Sequence, residues 1–120
     1  MKRPPAIDPT THALFLDFDG TLVELVDDPN EVALAADRIE RLAEMTDRLS
    51  GALAVVSGRR IADLDRFLAP LAFAAAGVHG LERRRRPEGE IEFLMQPEAL
   101  DPVRDAVAPT LEANQRLRLE

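Results

Sequence analysis

Two short apolar runs in this chain each end at a residue that carries chemistry, and the stretch between them has helical periodicity. Ala13 to Leu16 stops at Asp17, and Leu53 to Val56 stops at Ser57. Apolar runs of that length, bounded by polar or glycine residues, read as buried strands. Leu71 to Val78, alanine-rich and interrupted by Gly77, reads as a third strand ending near His79. From Asp37 to Leu49 the residues Ile39, Leu42, Ala43 and Leu49 keep helical spacing, while Arg38, Glu40, Arg41, Glu44 and Asp47 fill the opposite face of a surface helix. From Arg59 to Leu68 the residues Ile61, Leu64, Phe67 and Leu68 repeat the pattern, and Pro70 marks its stop. Strand, helix, strand, helix, strand predicts right-handed crossovers and an α/β fold, with a parallel sheet covered on both faces. Ligands in such sheets bind beyond the carboxyl ends of the strands, so Asp17, Ser57 and His79 are expected to converge.

Composition narrows the chemistry. The chain has no cysteine, which removes disulfides and thiolate metal ligands and suits a reducing cytosol. With only 5 Phe and neither Trp nor Tyr, the core has to be aliphatic. A net charge of −7 repels nucleic acid and phosphorylated small molecules alike. Any bound anion must therefore be held by local cations, backbone amides or a divalent metal ion. The basic run Arg83 to Arg86 has no interleaved aromatic residue, and Pro87, Glu88, Gly89 and Glu90 after it read as a solvated hairpin connection. No nucleic-acid partner is expected. Met1 to Thr11 is polar and proline-rich without a signal-peptide core, and no apolar run approaches the roughly 20 residues of a membrane span. A cytoplasmic location away from membranes is the expectation.

The segment Asp17-Phe18-Asp19-Gly20-Thr21 sets two carboxylates on either side of a Phe, where both can face one small site. Acids before a glycine turn also serve as ordinary turn or helix caps. Ser57-Gly58-Arg59 opens the second helix, so its hydroxyl and amides lie at a helix N-terminus that favours a phosphate. Capping by Ser57 is compatible with that role. His79, a histidine after an apolar strand, has the alternative of being a satisfied structural group.

Asp17-Phe18-Asp19-Gly20-Thr21 after Leu14-Phe15-Leu16 resembles the first signature of the haloacid dehalogenase-like phosphatases, and Ser57 matches the serine or threonine of their second. The resemblance implies a three-layer, Rossmann-like core in which Asp17 is the nucleophile that forms an aspartyl-phosphate. Asp19 is then the group that protonates the leaving oxygen and later activates water. It further implies Mg2+ held by the Asp17 carboxylate and the Asp19 carbonyl, with Thr21, Ser57, Gly58 and Arg59 binding phosphate. The physical logic agrees: a carboxylate attacks phosphorus only when the repulsion between the anions is neutralised, and magnesium prefers oxygen ligands. Ser57-Gly58-Arg59 and Gly77-Val78-His79-Gly80-Leu81-Glu82 together resemble the trehalose-6-phosphate phosphatases, and Leu22 to Val32, with Pro29, is similar in style. That branch implies a sugar-phosphate substrate, trehalose 6-phosphate, with His79, Gly80 and Glu82 near the mouth of the site. Another sugar phosphate, or a non-catalytic phosphate-binding module, remains open beside it.

The resemblance covers roughly Ala13 to Glu82. It also calls for a lysine and a downstream acidic pair, whereas Lys2 is the only lysine and no acidic cluster follows an apolar run after Glu82. The expectation is an incomplete core over residues 1–83, followed over residues 84–120 by a hairpin and the start of a truncated α+β cap. Within that second part, Gly89 to Leu94 and Leu117 to Leu119 read as strands. Asp101 and Pro102 open a helix running towards Asn114, with a break at Pro109. Exposed Leu117 and Leu119 on an unpaired edge would invite aggregation.

Overall fold

A computed structural model describes residues 2–28, 30–114 and 116–117. In chain order the elements are β1 (Leu14–Asp17), α1 (Ala36–Arg48), β2 (Leu53–Val56), α2 (Ile61–Leu68), β3 (Ala74–Gly77), β4 (Glu82–Arg84), β5 (Glu92–Phe93) and α3 (Asp101–Ala113). One sheet has the order β1-β2-β3-β4-β5. Its first three strands are parallel, as the alternating pattern predicts, and β4 and β5 are added antiparallel. Asp17, Val56 and Ala76 share one row of the register, so β1 and β2 end level and their following loops lie side by side.

Both crossovers step the same way along the sheet, so right-handed connections lay α1 and α2 on one face. Burial agrees. Leu42 and Leu49 from α1 and its end, and Leu64 and Leu68 from α2, form one core with Leu53 and Val55. The alternation of the strands sends Phe15 and Val56 to the other side, where they are 70% and 44% exposed. The expected cover on both faces is therefore corrected: among the described residues the second helical layer is missing, and the three-layer core is incomplete in this sense. The remaining helix, α3, has no buried residue. The radius of gyration, 16.9 Å, exceeds the roughly 13.6 Å of a compact domain of this length.

The hairpin begins within the main sheet. β4 pairs with β3 through Ala75 with Arg84, Ala76 with Arg83 and Gly77 with Glu82, and the anticipated division between residues 83 and 84 falls inside this strand. Such a polar strand fits because its charges are met. Buried Arg84 donates Nε to the Phe73 carbonyl at 3.0 Å and its two terminal nitrogens to Asp65 at 2.8 and 2.6 Å. Arg83 and Arg85 both pair with Glu92. The strand expected from Gly89 to Leu94 shortens to Glu92–Phe93, because Gly89 closes a turn onto the Arg86 carbonyl.

α3 continues through Pro109 to Ala113 rather than breaking there. Proline removes one helical N–H, and the carbonyl left without a partner is tolerated on a helix that buries nothing. Leu117 lies in a turn, its N–H donated to the Asn114 carbonyl, and not in a strand; Leu119 and Pro29 lie outside the described residues. No helix among the described residues is long and apolar enough to cross a membrane.

Candidate active site

The loop after β1 is built around a buried ring. Phe18 is fully buried, and its carbonyl accepts the N–H groups of Leu22 and Val23 at 2.9 and 3.1 Å, while Gly20 donates to the Val23 carbonyl at 2.8 Å. Gly20 has φ +76°, a conformation that glycine adopts without steric penalty. With Phe18 anchored inside, its neighbours turn outward. Asp17 is exposed, with Oδ1 accepting the Phe18 N–H at 2.8 Å. Thr21 is exposed on the same turn.

The loop after β2 reaches across to the first. Ser57 is buried, its N–H donates to the Ala76 carbonyl at 3.0 Å, and its Oγ accepts the Arg59 N–H at 3.1 Å. Arg59 then extends over β1 and grips Asp19 with a two-pronged contact, Nε to Oδ2 at 2.8 Å and one terminal nitrogen to Oδ1 at 2.7 Å. Its guanidinium lies 5.5 Å from the ring centre of Phe18 and 5.1 Å from that of Phe67, and these two rings stack with centres 5.8 Å apart. Such face contacts favour a cation. The hydrogen bonds that Arg59 donates to Asp19 hold the Arg59 pKa above the ordinary guanidinium value, against the opposing pull of partial burial.

The segment after β3 packs onto the second loop. Val78 donates its N–H to the Arg59 carbonyl at 3.0 Å, and a Cβ on Gly77 would stand 2.7 Å from that same oxygen. A Cβ on Gly58 would stand 2.8 Å from Cε1 of His79, so only glycine lets the imidazole rest on the backbone there. The ring reaches this place because Val78 and His79 adopt φ of 48° and 52°. Positive φ is costly for a β-branched residue, and strain of this kind, of order 1–3 kcal/mol per residue, gathers at functional sites. Gly80 follows at φ +93° and faces open space.

Glu82 does not stand at the mouth of the site as expected. Its carboxylate is buried, Oε2 accepts the N–H of Ile61 at 2.8 Å, and Oε1 lies 3.6 Å from Arg60 Nε. Glu82 thus caps α2, whose own residue before the first turn, Arg60, supplies no side-chain cap. α2 begins two residues later than Arg59, so the expected anion site at its N-terminus is filled by this carboxylate. What remains for a phosphate is the Ser57-Gly58-Arg59 segment itself.

The structure therefore brings Asp19, Ser57, Gly58, Arg59 and His79 into one continuous set of contacts, with Asp17 at the adjoining strand end. The Phe67 wall and the direct bond between Arg59 and Asp19 were missed from sequence. The available signal was the pair of Phe residues in the two segments flanking the site. A surface hollow of about 290 Å³ bordered by Val23, Val26, Val32 and Arg38 contains none of the expected site residues. Among the described residues no three acidic or histidine side chains gather to hold a metal ion.

The three parallel strands β1 to β3, with Asp17-Phe18-Asp19-Gly20-Thr21 at the end of the first, have the fold of the haloacid dehalogenase-like proteins. A haloacid dehalogenase-like hydrolase from B. subtilis shares the fold, with TM-score 0.59 and 17% identity over 86% of this chain and 34% of that one. The trehalose-phosphatase family model matches residues 15–116, and the chain belongs to that family. A probable trehalose-phosphate phosphatase of Sinorhizobium fredii is 43% identical over 79 residues, 66% of this chain and 29% of the relative. The trehalose-6-phosphate phosphatase of Escherichia coli is 37% identical over 89 residues, 74% of this chain and 33% of the relative. A solved trehalose-6-phosphate phosphatase related protein superposes with TM-score 0.71 at 24% identity, covering 91% of this chain and 47% of that one. The chain thus spans a third or less of the length of these curated relatives.

Proposed function

We propose that this chain carries the nucleophile half of a phosphomonoesterase site that hydrolyses trehalose 6-phosphate to trehalose and phosphate. The observation that carries the reading is the bond between Asp19, after β1, and Arg59, after β2, which joins the two signature loops. In this reading an Asp17 oxygen forms a bond to phosphorus as the ester oxygen leaves, and Asp19 gives that oxygen a proton. Asp19 then takes a proton from the water that cleaves the aspartyl-phosphate, which restores Asp17 and releases phosphate. Thr21, Ser57, Gly58 and Arg59 hold the phosphoryl oxygens, while His79 and Gly80 border the sugar.

The donors at β1 are hard oxygens, few in number, which suits an ion that keeps several waters and is commonly held by one or two carboxylates. The Asp17 carboxylate and the Asp19 backbone carbonyl would hold Mg2+. Bound there, it would offset the charge of phosphate and nucleophile. The partner is a small sugar phosphate rather than nucleic acid, since Arg83, Arg84 and Arg85 are engaged by Glu92 and Asp65. The setting is cytoplasmic, away from membranes, which suits a chain without cysteine.

Phosphate release from trehalose 6-phosphate and from other sugar phosphates, by the polypeptide carrying these residues, tests the substrate. Preference for trehalose 6-phosphate is expected. Equal or faster hydrolysis of another sugar phosphate would move the substrate and keep the reaction.

A further inference from the structure

Arg59 belongs to the segment that the proposed function assigns to phosphate, yet its fork is closed on a carboxylate 40 residues away. The two donors used on Asp19 are those that match the oxygens of a phosphate group, because Arg presents the same planar fork to either anion. The rings of Phe18 and Phe67 confine the guanidinium. Both Asp19 oxygens accept from the fork, which fixes the orientation of the carboxylate for as long as the pair is made.

We propose that Arg59 is a positioning residue shared between Asp19 and phosphate: it holds Asp19 in the ligand-free site and transfers its fork to an entering phosphoryl group. Phosphate binding and the freeing of Asp19 are then one event. This rests on the phosphatase reading above and adds to it the order in which the site is assembled. To gain the Nε side of the Arg59 fork a phosphate has to displace the Asp19 carboxylate, so its affinity is lowered by Asp19 through Arg59 and not only through like charge.

The test is a titration of the full chain with inorganic phosphate, followed by NMR, for the unchanged protein, Asp19→Asn, Arg59→Gln and the double variant. Residues joined in one hydrogen-bond network typically couple by about 2–160-fold. Asp19→Asn is expected to tighten phosphate by at least about twofold, and the gain should vanish when Arg59→Gln is also present. The Arg59 Nε–H resonance should move on phosphate addition in the unchanged chain, towards its position in Asp19→Asn with phosphate. Arg59→Lys, which keeps the charge but lacks the fork, should not restore the coupling. An equal gain from Asp19→Asn in both backgrounds, or full coupling with Lys, would overturn the exchange while leaving a phosphate site in place. Phosphate binding to none of the chains would overturn the exchange and the phosphate site together.

Discussion

The buried carboxylate of Glu82 accepts the backbone N–H of Ile61 at 2.8 Å, so the first turn of α2 is completed by an acid from β4. A helix N-terminus carries partial positive charge and unsatisfied N–H groups, and Glu82 meets both needs. Glu82→Ala leaves that N–H buried without an acceptor and should lower stability by about 1–3 kcal/mol in urea unfolding. Glu82→Gln keeps an acceptor oxygen and should lose less. Equal losses would show that the charge alone matters; no loss in either would remove Glu82 as the cap.

Gly58 and Gly77 make an internal comparison, since both face groups closer than 3 Å to an added Cβ. At Gly77 the obstacle is the Arg59 carbonyl, fixed by its hydrogen bond from Val78. At Gly58 it is the imidazole of His79, which can turn away. Gly77→Ala is therefore expected to destabilise by about 1–3 kcal/mol, as overpacked sites do. Gly58→Ala should cost less but shift the His79 ring resonances and weaken phosphate binding. Unchanged His79 resonances in Gly58→Ala would contradict the described contact.

These two positions also show what was legible in the sequence. The strands β1 and β2 were readable because Ala13 to Leu16 and Leu53 to Val56 are aliphatic runs with sharp polar ends. β4 was not, because Glu82-Arg83-Arg84 is wholly charged and becomes a strand only once Ile61, Glu92 and Asp65 meet those charges. The same apolar runs predicted helices on both faces, yet Phe15 and Val56 point to a face that no described helix covers. Asp17, Asp19, Ser57 and Arg59 were recognisable by motif. Their joining through Arg59 and Asp19 was not, because a contact across 40 residues leaves no local pattern.

The hairpin gives a prediction in pH. Glu92 accepts from Arg83 at 2.7 Å and from Arg85 at 3.0 Å, and the hydrogen bond from Arg83, more than the charges, holds its carboxyl below the ordinary value. A carboxylate with a lowered folded-state pKa stabilises the fold at pH values above its unfolded pKa. The contribution is lost as pH falls through the lowered, folded value. Exchange protection of the Leu94 N–H, bonded to the Leu81 carbonyl, should therefore fall on acidification, and added salt should weaken it at neutral pH. In Glu92→Gln the pH dependence in that window should be smaller. A full pH response in this variant would assign it elsewhere.

The central claim is that Asp17 is the nucleophile of a phosphomonoesterase. Its most direct test is phosphate release from trehalose 6-phosphate with magnesium, comparing Asp17→Asn with the unchanged residue in the polypeptide that carries this sequence. The account predicts a loss of at least about 10³-fold in kcat with substrate still bound, since loss of a covalent nucleophile removes the reaction path itself. Turnover by Asp17→Asn at the rate of the unchanged protein would contradict it.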